Sequence, residues 1–388
     1  MGKLKVLFKN NIRQYGMGIA LVSIIIFFQI LTGGILMKPL NVTNLILQNS
    51  YVLVLAIGMF FCILTGNVDL SVGSVVAFVG AISAILSIQL KVAVIPTIII
   101  SLLIGALIGA WQGYWIAYVR IPPFIVTLAG MLAFRGLTMV ILKGQTIAPF
   151  PESYQIISSG FIPDLLGSGG LHITTLVIGA ILSIIYILIE LRKRKNTLKY
   201  NFEVLPMSLF SAKLVVVAGL INLFTYWLAS YKGIPTVLIL LAALVLVYSF
   251  IANKTVAGRH VYAFGGNEKA AKLSGVKTNR VLFWVYVNMS ALSALAGIVL
   301  AGRLNAATPK AGASFELDAI AACYIGGASA SGGIGTVFGC IIGGLIMGVL
   351  NNGMSILGIS IDWQQTIKGL VLLMAVAFDV YTKNKGKK

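Results

Sequence analysis

Gly265-Gly-Asn-Glu-Lys-Ala-Ala-Lys-Leu-Ser-Gly275 lies inside Asn253–Arg280, the longest strongly polar interval in the second half of the chain, with long apolar runs on both sides. Apolar runs long enough to cross a bilayer on either side make this interval a loop of a polytopic membrane protein. Its residues also specify local structure. Gly265-Gly266 frees the backbone, Asn267 is a natural N-cap, and Glu268 falls near the positive end of the helix that follows. Lys269 to Leu273 favour helix, and Ser274-Gly275 stops it after roughly two turns. Small Ala270 and Ala271, followed by Leu273, form a face suited to docking in a groove of another protein. The same residues also read as a solvated loop whose Lys and Arg only set topology.

The whole composition agrees with a membrane bundle. The chain of 388 residues is 59% hydrophobic and 10% charged, with mean hydropathy +0.98, which excludes an ordinary soluble domain. At about 20 residues per crossing there is room for about twelve spans and no large soluble domain. The expected fold is therefore an all-α, polytopic integral membrane helical bundle, residues 1–388 forming a single transmembrane domain. The net charge of +19 sits in short basic blocks between apolar runs, a positive-inside pattern and not a nucleic-acid surface. Twenty Lys and Arg fall in segments assigned to the cytoplasm, against six in outer turns. That asymmetry places both termini in the cytoplasm. Residues 1–37 combine a basic start with an apolar run of about 20 residues and no small-x-small cleavage site, which reads as a retained anchor.

Taken in order, spans are expected near Met17–Met37, Leu45–Leu64, up to Leu90, Val94–Val119, up to Leu142, up to Leu191, Leu214–Ala229, Ile234–Ile251, Val281–Ala301, a short or half helix at Ala319–Gly327, one starting near Gly335, and Trp363–Tyr381. Residues 143–170 form an ordered outer loop, and 253–280 a cytoplasmic one. Hydropathy breaks at Thr65-Gly-Asn-Val-Asp-Leu-Ser-Val-Gly-Ser74 without a long loop. Asp69 or Ser71 could simply cap the next span there, or the helix could be broken at membrane depth so that freed backbone lines a polar path. A second glycine-rich interruption, near 326–335, hints at an internal repeat. Gly105, Gly109 and Gly113, spaced four apart, predict close approach of another helix, inside one subunit or at a dimer contact.

Chemistry is marked mostly by what is missing. No Gly-x-x-x-x-Gly-Lys-Ser/Thr occurs, so this chain forms no P-loop, and no common hydrolase motif is present. The chain is expected not to be an enzyme and to carry no metal or cofactor. Cys62, Cys323 and Cys340 lie in apolar segments at no ligand-like spacing, and His172 and His260 are isolated. Ionisable groups at membrane depth are few: Asp69, Arg135 and Lys368, with Asp379 near an end. A solute would meet mainly hydroxyls, amides and bare backbone. The pathway candidates are Asp69, Ser71, Gly73, Ser74, Thr127, Arg135, Asn351 and Asn352, a set better suited to a polyol than to capture of an ion.

The string Gly-Gly-Asn-Glu-Lys-Ala-Ala-Lys-Leu-Ser-Gly-Val resembles the coupling loop of ATP-binding-cassette importer permeases of the ribose/xylose branch, where Glu commonly stands directly before Ala-Ala; here Lys269 intervenes. Asp-Leu-Ser-Val-Gly-Ser at 69–74 resembles the same family's N-terminal signature. Phe315-Glu-Leu-Asp-Ala-Ile-Ala-Ala, Ile325-Gly-Gly-Ala-Ser-Ala-Ser-Gly-Gly-Ile-Gly and Leu350-Asn-Asn-Gly-Met add to it. The match covers nearly the whole chain, and an extra hairpin around spans six to eight is similar to the xylose and multiple-monosaccharide permeases. The resemblance implies a homodimeric pore for a monosaccharide, delivered by an extracytoplasmic sugar-binding protein. It also implies a tandem cytoplasmic ATPase that carries the ATP and Mg, docked through Gly265, Gly266, Asn267, Glu268, Ala270, Ala271, Leu273, Ser274 and Gly275. Two alternatives remain open on the residues alone. A stand-alone secondary transporter would move solute on an ion gradient without an ATPase. A membrane enzyme acting on a lipid-linked substrate would need a carboxylate or metal site at one surface.

Overall fold

The computed structural model describes residues 12–385 other than 168, 201 and 203. The terminal basic residues Lys3, Lys5, Lys9, Lys387 and Lys388 lie outside the described residues, as do the side chains of Arg13, Asp379, Lys383 and Lys385. Fifteen helices follow one another: α1 Ile12–Leu31, α2 Pro39–Leu64, α3 Val72–Ala84 running on as a π turn through Gln89, α4 Val94–Ala117, α5 Pro123–Leu142, α6 Glu152–Ser159, α7 Ile173–Lys199, α8 Met207–Ala229, α9 Thr236–Lys254, α10 Val256–Gly266, α11 Glu268–Leu273, α12 Thr278–Leu304, α13 Phe315–Ile325, α14 Val337–Ile356 and α15 Ile361–Lys385. Among the described residues nine of these are long and apolar enough to cross a membrane. The other three expected spans correspond to α1, to the half-helix α13 and to α15.

Local chemistry explains many helix starts. Pro39 opens α2 and Pro123 opens α5, where a missing N–H costs nothing. Side-chain oxygens cap three others: Thr255 accepts from Gly258 N, Asn267 from Ala270 N, and Thr336 from Gly339 N. The helix of the span expected to end at Leu191 runs on through the basic residues Arg192–Lys195 to Lys199. Arg192, Lys193, Arg194 and Lys195 are all good helix formers, so nothing there stops the helix.

The bundle is built on α2 and α12. From Val52 to Leu64 every side chain of α2 is buried, as expected of a helix surrounded on all sides. α12 packs on α2, α3 and α4, and α13 with α14 closes the far side of α2. The α7–α8 hairpin stands at the edge, mostly exposed along both helices. A polar ladder absent from the sequence expectations joins it: Lys213 Nζ meets Glu190 Oε2 at 2.8 Å, and Asn222 Nδ2 donates to Ser183 Oγ at 2.8 Å. Such bonds hold two helices together where no hydrophobic force can, because lipid is as apolar as the side chains.

Segment 143–170 is tied to the rest of the bundle at several points. It carries α6 and makes isolated bridges from Ile147 to Ala307 and from Phe161 to Pro235. Asp164 in this segment accepts from the Thr174 hydroxyl and from the amides of Ile173 and Thr174, which holds its carboxyl well below the usual carboxylate range.

The glycines of α4 give the close helix approach their spacing predicts, and it lies inside the subunit. A β-carbon at Gly109 would lie 2.5 Å from the Tyr286 carbonyl oxygen and 2.6 Å from Val287 Cα, so α4 and α12 touch backbone to backbone. Gly109→Leu is expected to force the two helices apart and destabilise the bundle by about 3 kcal/mol. Gly136→Leu, which meets nothing within 4 Å, is expected to be silent. Thermal unfolding of the two detergent-solubilised variants checks the contrast.

Candidate functional site

The chain breaks at Thr65–Ser71 because Gly66 takes a positive φ of 74° and Asp69 folds back on the next turn. Asp69 is fully buried. Its Oδ1 accepts from Ser71 N at 2.8 Å and from Ser71 Oγ at 2.6 Å, while Oδ2 has no partner. Ser71 does not cap α3 with its side chain. Instead its Oγ also accepts from Gln112 Nε2 of α4 at 2.9 Å. Gly130 of α5 leaves the space for that amide, since a β-carbon there would stand 2.6 Å from Gln112 Nε2.

One turn along α3, the interruption meets the second half of the chain. A β-carbon at Gly73 would collide with the Gly312 carbonyl and approach Glu316 Oε2 to 2.7 Å. Gly312 itself has φ 69°, so the 305–314 connection turns into the bundle instead of staying outside it. Arg135 of α5 holds that connection by donating to the Pro309 carbonyl at 3.2 Å and to the Ala311 carbonyl at 2.5 Å. Ser74 Oγ is buried without a partner. Thr127 is buried and returns its hydroxyl to the Pro123 carbonyl at 2.9 Å.

Asp69, Ser71, Gly73, Ser74 and Arg135 therefore fall along one seam between α3, α5 and the 305–316 segment. Asn351 and Asn352 lie elsewhere, at the far end of α14. Asn352 exchanges amide bonds with Asn41 at 2.8 and 3.1 Å, clasping α14 to the start of α2, while Asn351 Oδ1 is buried and unpaired. Sequence reading missed Gln112, which carries no signal in an apolar run, and Glu316, whose nearness to Gly73 no spacing reveals. Lys368 Nζ of α15 pairs with Asp318 Oδ1 of α13 at 3.0 Å, both side chains largely buried, beside a cavity of about 140 Å³ lined by Ser314, Leu317 and Gln365.

The polar interval 253–280 is almost wholly helical. Gly265 and Gly266 are the last residues of α10 instead of a flexible lead-in. Gly265 is needed for close packing: a β-carbon there would overlap the Leu64 carbonyl and come within 2.6 Å of Gly333 N. Tyr262 of the same helix donates to the Gly335 carbonyl at 2.9 Å. The short helix α11 follows as its residues predict, with Asn267 as cap. Ala271 is buried against the chain's own α10–α12 corner at 4% exposure, while Leu273 is 91% exposed and Ala270 is also exposed. Glu268 pairs with Arg120 Nη1 at 2.9 Å, and Arg120 also reaches Asn279, tying α11 to the α4–α5 turn. The ion pair is half exposed and worth little as stability; it fixes position.

A multi-pass helical bundle with interrupted helices, a buried polar seam and a capped helix, α10, set against those interruptions is the build of a transport permease. The chain belongs to the permease family described as the permease component of branched-chain amino acid transport systems, whose model matches residues 41–376. It is 40% identical over 97% of its length to the xylose transport system permease protein XylH of Haemophilus influenzae, covering 98% of that protein. The Escherichia coli XylH is 39% identical over 97% of this chain and 93% of its own. The ribose import permease protein RbsC of Bacillus subtilis is 36% identical over 96% and 94%. No solved structure matches.

The Asp318–Lys368 pair generates a direct prediction. Lys368→Met leaves a buried carboxylate uncompensated and is expected to cost about 3 kcal/mol, whereas Asp318→Asn with Lys368→Met is expected to recover most of it. Melting temperatures of the single and double variants decide; equal losses would show that the pair contributes nothing as a pair.

Proposed function

We propose that this chain is the membrane permease of an ATP-binding-cassette importer for a monosaccharide of the xylose or ribose type. The observation that carries the reading is end-to-end similarity to XylH at 40% identity. The family's printed description names branched-chain amino acid transport, but two named sugar permeases match over almost the full chain. The polar groups of the interior are mostly neutral, Ser71, Ser74, Thr127 and Gln112, and in this structure all but Ser74 are engaged within the chain, so a polyol would be met by exchange of such bonds. Asp69 and Arg135 are engaged within the chain and serve as positioning residues.

In this reading the protein acts as a homodimer, with both termini in the cytoplasm. A binding protein delivers the sugar to the outer face, which includes 143–170. A cytoplasmic ATPase, which holds the ATP and Mg, docks on Gly265–Gly275. Docking force passes from α11 to α10 and from Gly265 directly onto Leu64 and Gly333. Both helix interruptions are reached in one step, so a small shift of α10 re-aims the two broken helices together.

Proteoliposomes holding the permease, its ATPase and its binding protein are expected to take up labelled xylose or ribose only with ATP present. Uptake driven by an ion gradient without the ATPase would replace the proposal with a secondary transporter. Reporter fusions after Lys388 and within 143–170 are expected on opposite sides of the membrane, and signals on one side would overturn the topology.

The docking face has its own test. Ala271 is already used inside the chain, so the exposed Leu273 is the residue to change. Leu273→Asp removes a contact worth about 2 kcal/mol when buried and is expected to weaken ATPase association about 30-fold. Co-purification and sugar-stimulated ATP hydrolysis read it. Unchanged association would move docking to 192–199.

A further inference from the structure

Near α10 a groove of about 540 Å³ opens between α9, α10, α12 and the end of α2. Its walls are apolar, formed by Phe61, Ile251, Val261, Val281, Trp284 and Val285. Phe61 and Tyr248 meet edge to face at 5.7 Å, and the Tyr248 hydroxyl is satisfied by Asn288 at 2.5 Å, so the floor asks for no polar ligand. The rim differs. His260, Lys277 and Arg280 line the same groove, and among the described residues neither Lys277 nor Arg280 is in an ion pair. Lys277 immediately precedes the first turn of α12, a 27-residue helix whose positive dipole end adds to the two cations. Trp284 is 62% exposed one turn further along α12, the kind of residue enriched at the level of lipid headgroups.

We propose that this groove binds an anionic phospholipid. Its phosphate lies between Lys277 and Arg280, and an acyl chain runs along Ile251, Val281 and Trp284. The chemistry on the page selects this occupant over a soluble ligand: the cations ask for a phosphate, and the apolar trough leading from them asks for a hydrocarbon tail. Basic pockets between membrane helices are suited to such headgroups. A lipid here touches α10 and α12 together, the two helices that flank α11, and it braces the corner on which α11 is seated. The inference concerns lipid chemistry and does not depend on which sugar is carried.

The test uses the purified 388-residue chain in neutral detergent, titrated with phosphatidylglycerol or phosphatidylcholine and read by native mass spectrometry. Retention of phosphatidylglycerol is expected to exceed that of phosphatidylcholine about tenfold. Lys277→Gln with Arg280→Gln is expected to abolish the difference, while Lys193→Gln with Lys195→Gln, in the exposed basic stretch of α7, preserves it. No preference for the anionic lipid overturns the proposal, as does equal loss in both variants, which would show general attraction to basic surface. A photoreactive phosphatidylglycerol added to the complex with the ATPase provides a second readout. Labelling within 251–288 supports the site. Labelling confined to other segments overturns it.

Discussion

At the end of α2 the Leu64 carbonyl accepts from Gly333 N at 2.9 Å, in a place already crowded by Gly265 and Gly332. Backbone freed by an interrupted helix has to find partners inside the protein wherever water is scarce. Here the two interruptions satisfy one another: the first break, Leu64–Gly66, is closed by the second, Gly332–Gly335. α10 is laid across both, with Tyr262 reaching the Gly335 carbonyl. Glycine at 265 is required by this arrangement, because a β-carbon would occupy the space of the Leu64 carbonyl. The rest of the core is arranged to keep the junction fixed, with α12 packed along α2 and α13–α14 on its other side.

The charged groups of the interior obey a related constraint. An ion in a low-dielectric bundle is costly without partners, and three of the cations have them. Arg135 satisfies itself on two backbone carbonyls of the 305–314 connection. Lys368 takes Asp318, and Lys213 takes Glu190. These contacts are structural devices that hold irregular backbone and peripheral helices in place, and the neutral pair Ser71 and Gln112 joins α3 to α4 in the same way. Asp69 stands between the two roles: one carboxylate oxygen closes the turn, and the other is buried and unpaired.

Much of this was legible in the residues themselves. Among the described residues apolar run length placed nine helices long enough to cross a membrane, Asn267 and its helix formers placed α11, and the four-residue glycine spacing of α4 foretold a close helix contact. Each is a short-range property, decided by neighbours within a few positions. The half-helix α13 was legible for the same reason, since 319–327 is too short to span before its glycines.

What the tertiary structure alone decided is which distant groups meet. Arg120 finds Glu268 across 148 residues, Lys368 finds Asp318 across 50, and Asn41 finds Asn352 across 311. Such pairings depend on the register and rotation of packed helices, to which several apolar sequences are equally indifferent. The same cause inverted two local expectations. Gly265 and Gly266 look like a hinge in sequence but end a helix, because α10 must touch the backbone of α2. Ala271 looks available for a partner but is buried, because α11 turns its small face inward and leaves Leu273 outside. The sequence by itself determined a membrane bundle with two breaks and a capped short helix; only packing decided that the two breaks meet each other and α10 at one junction.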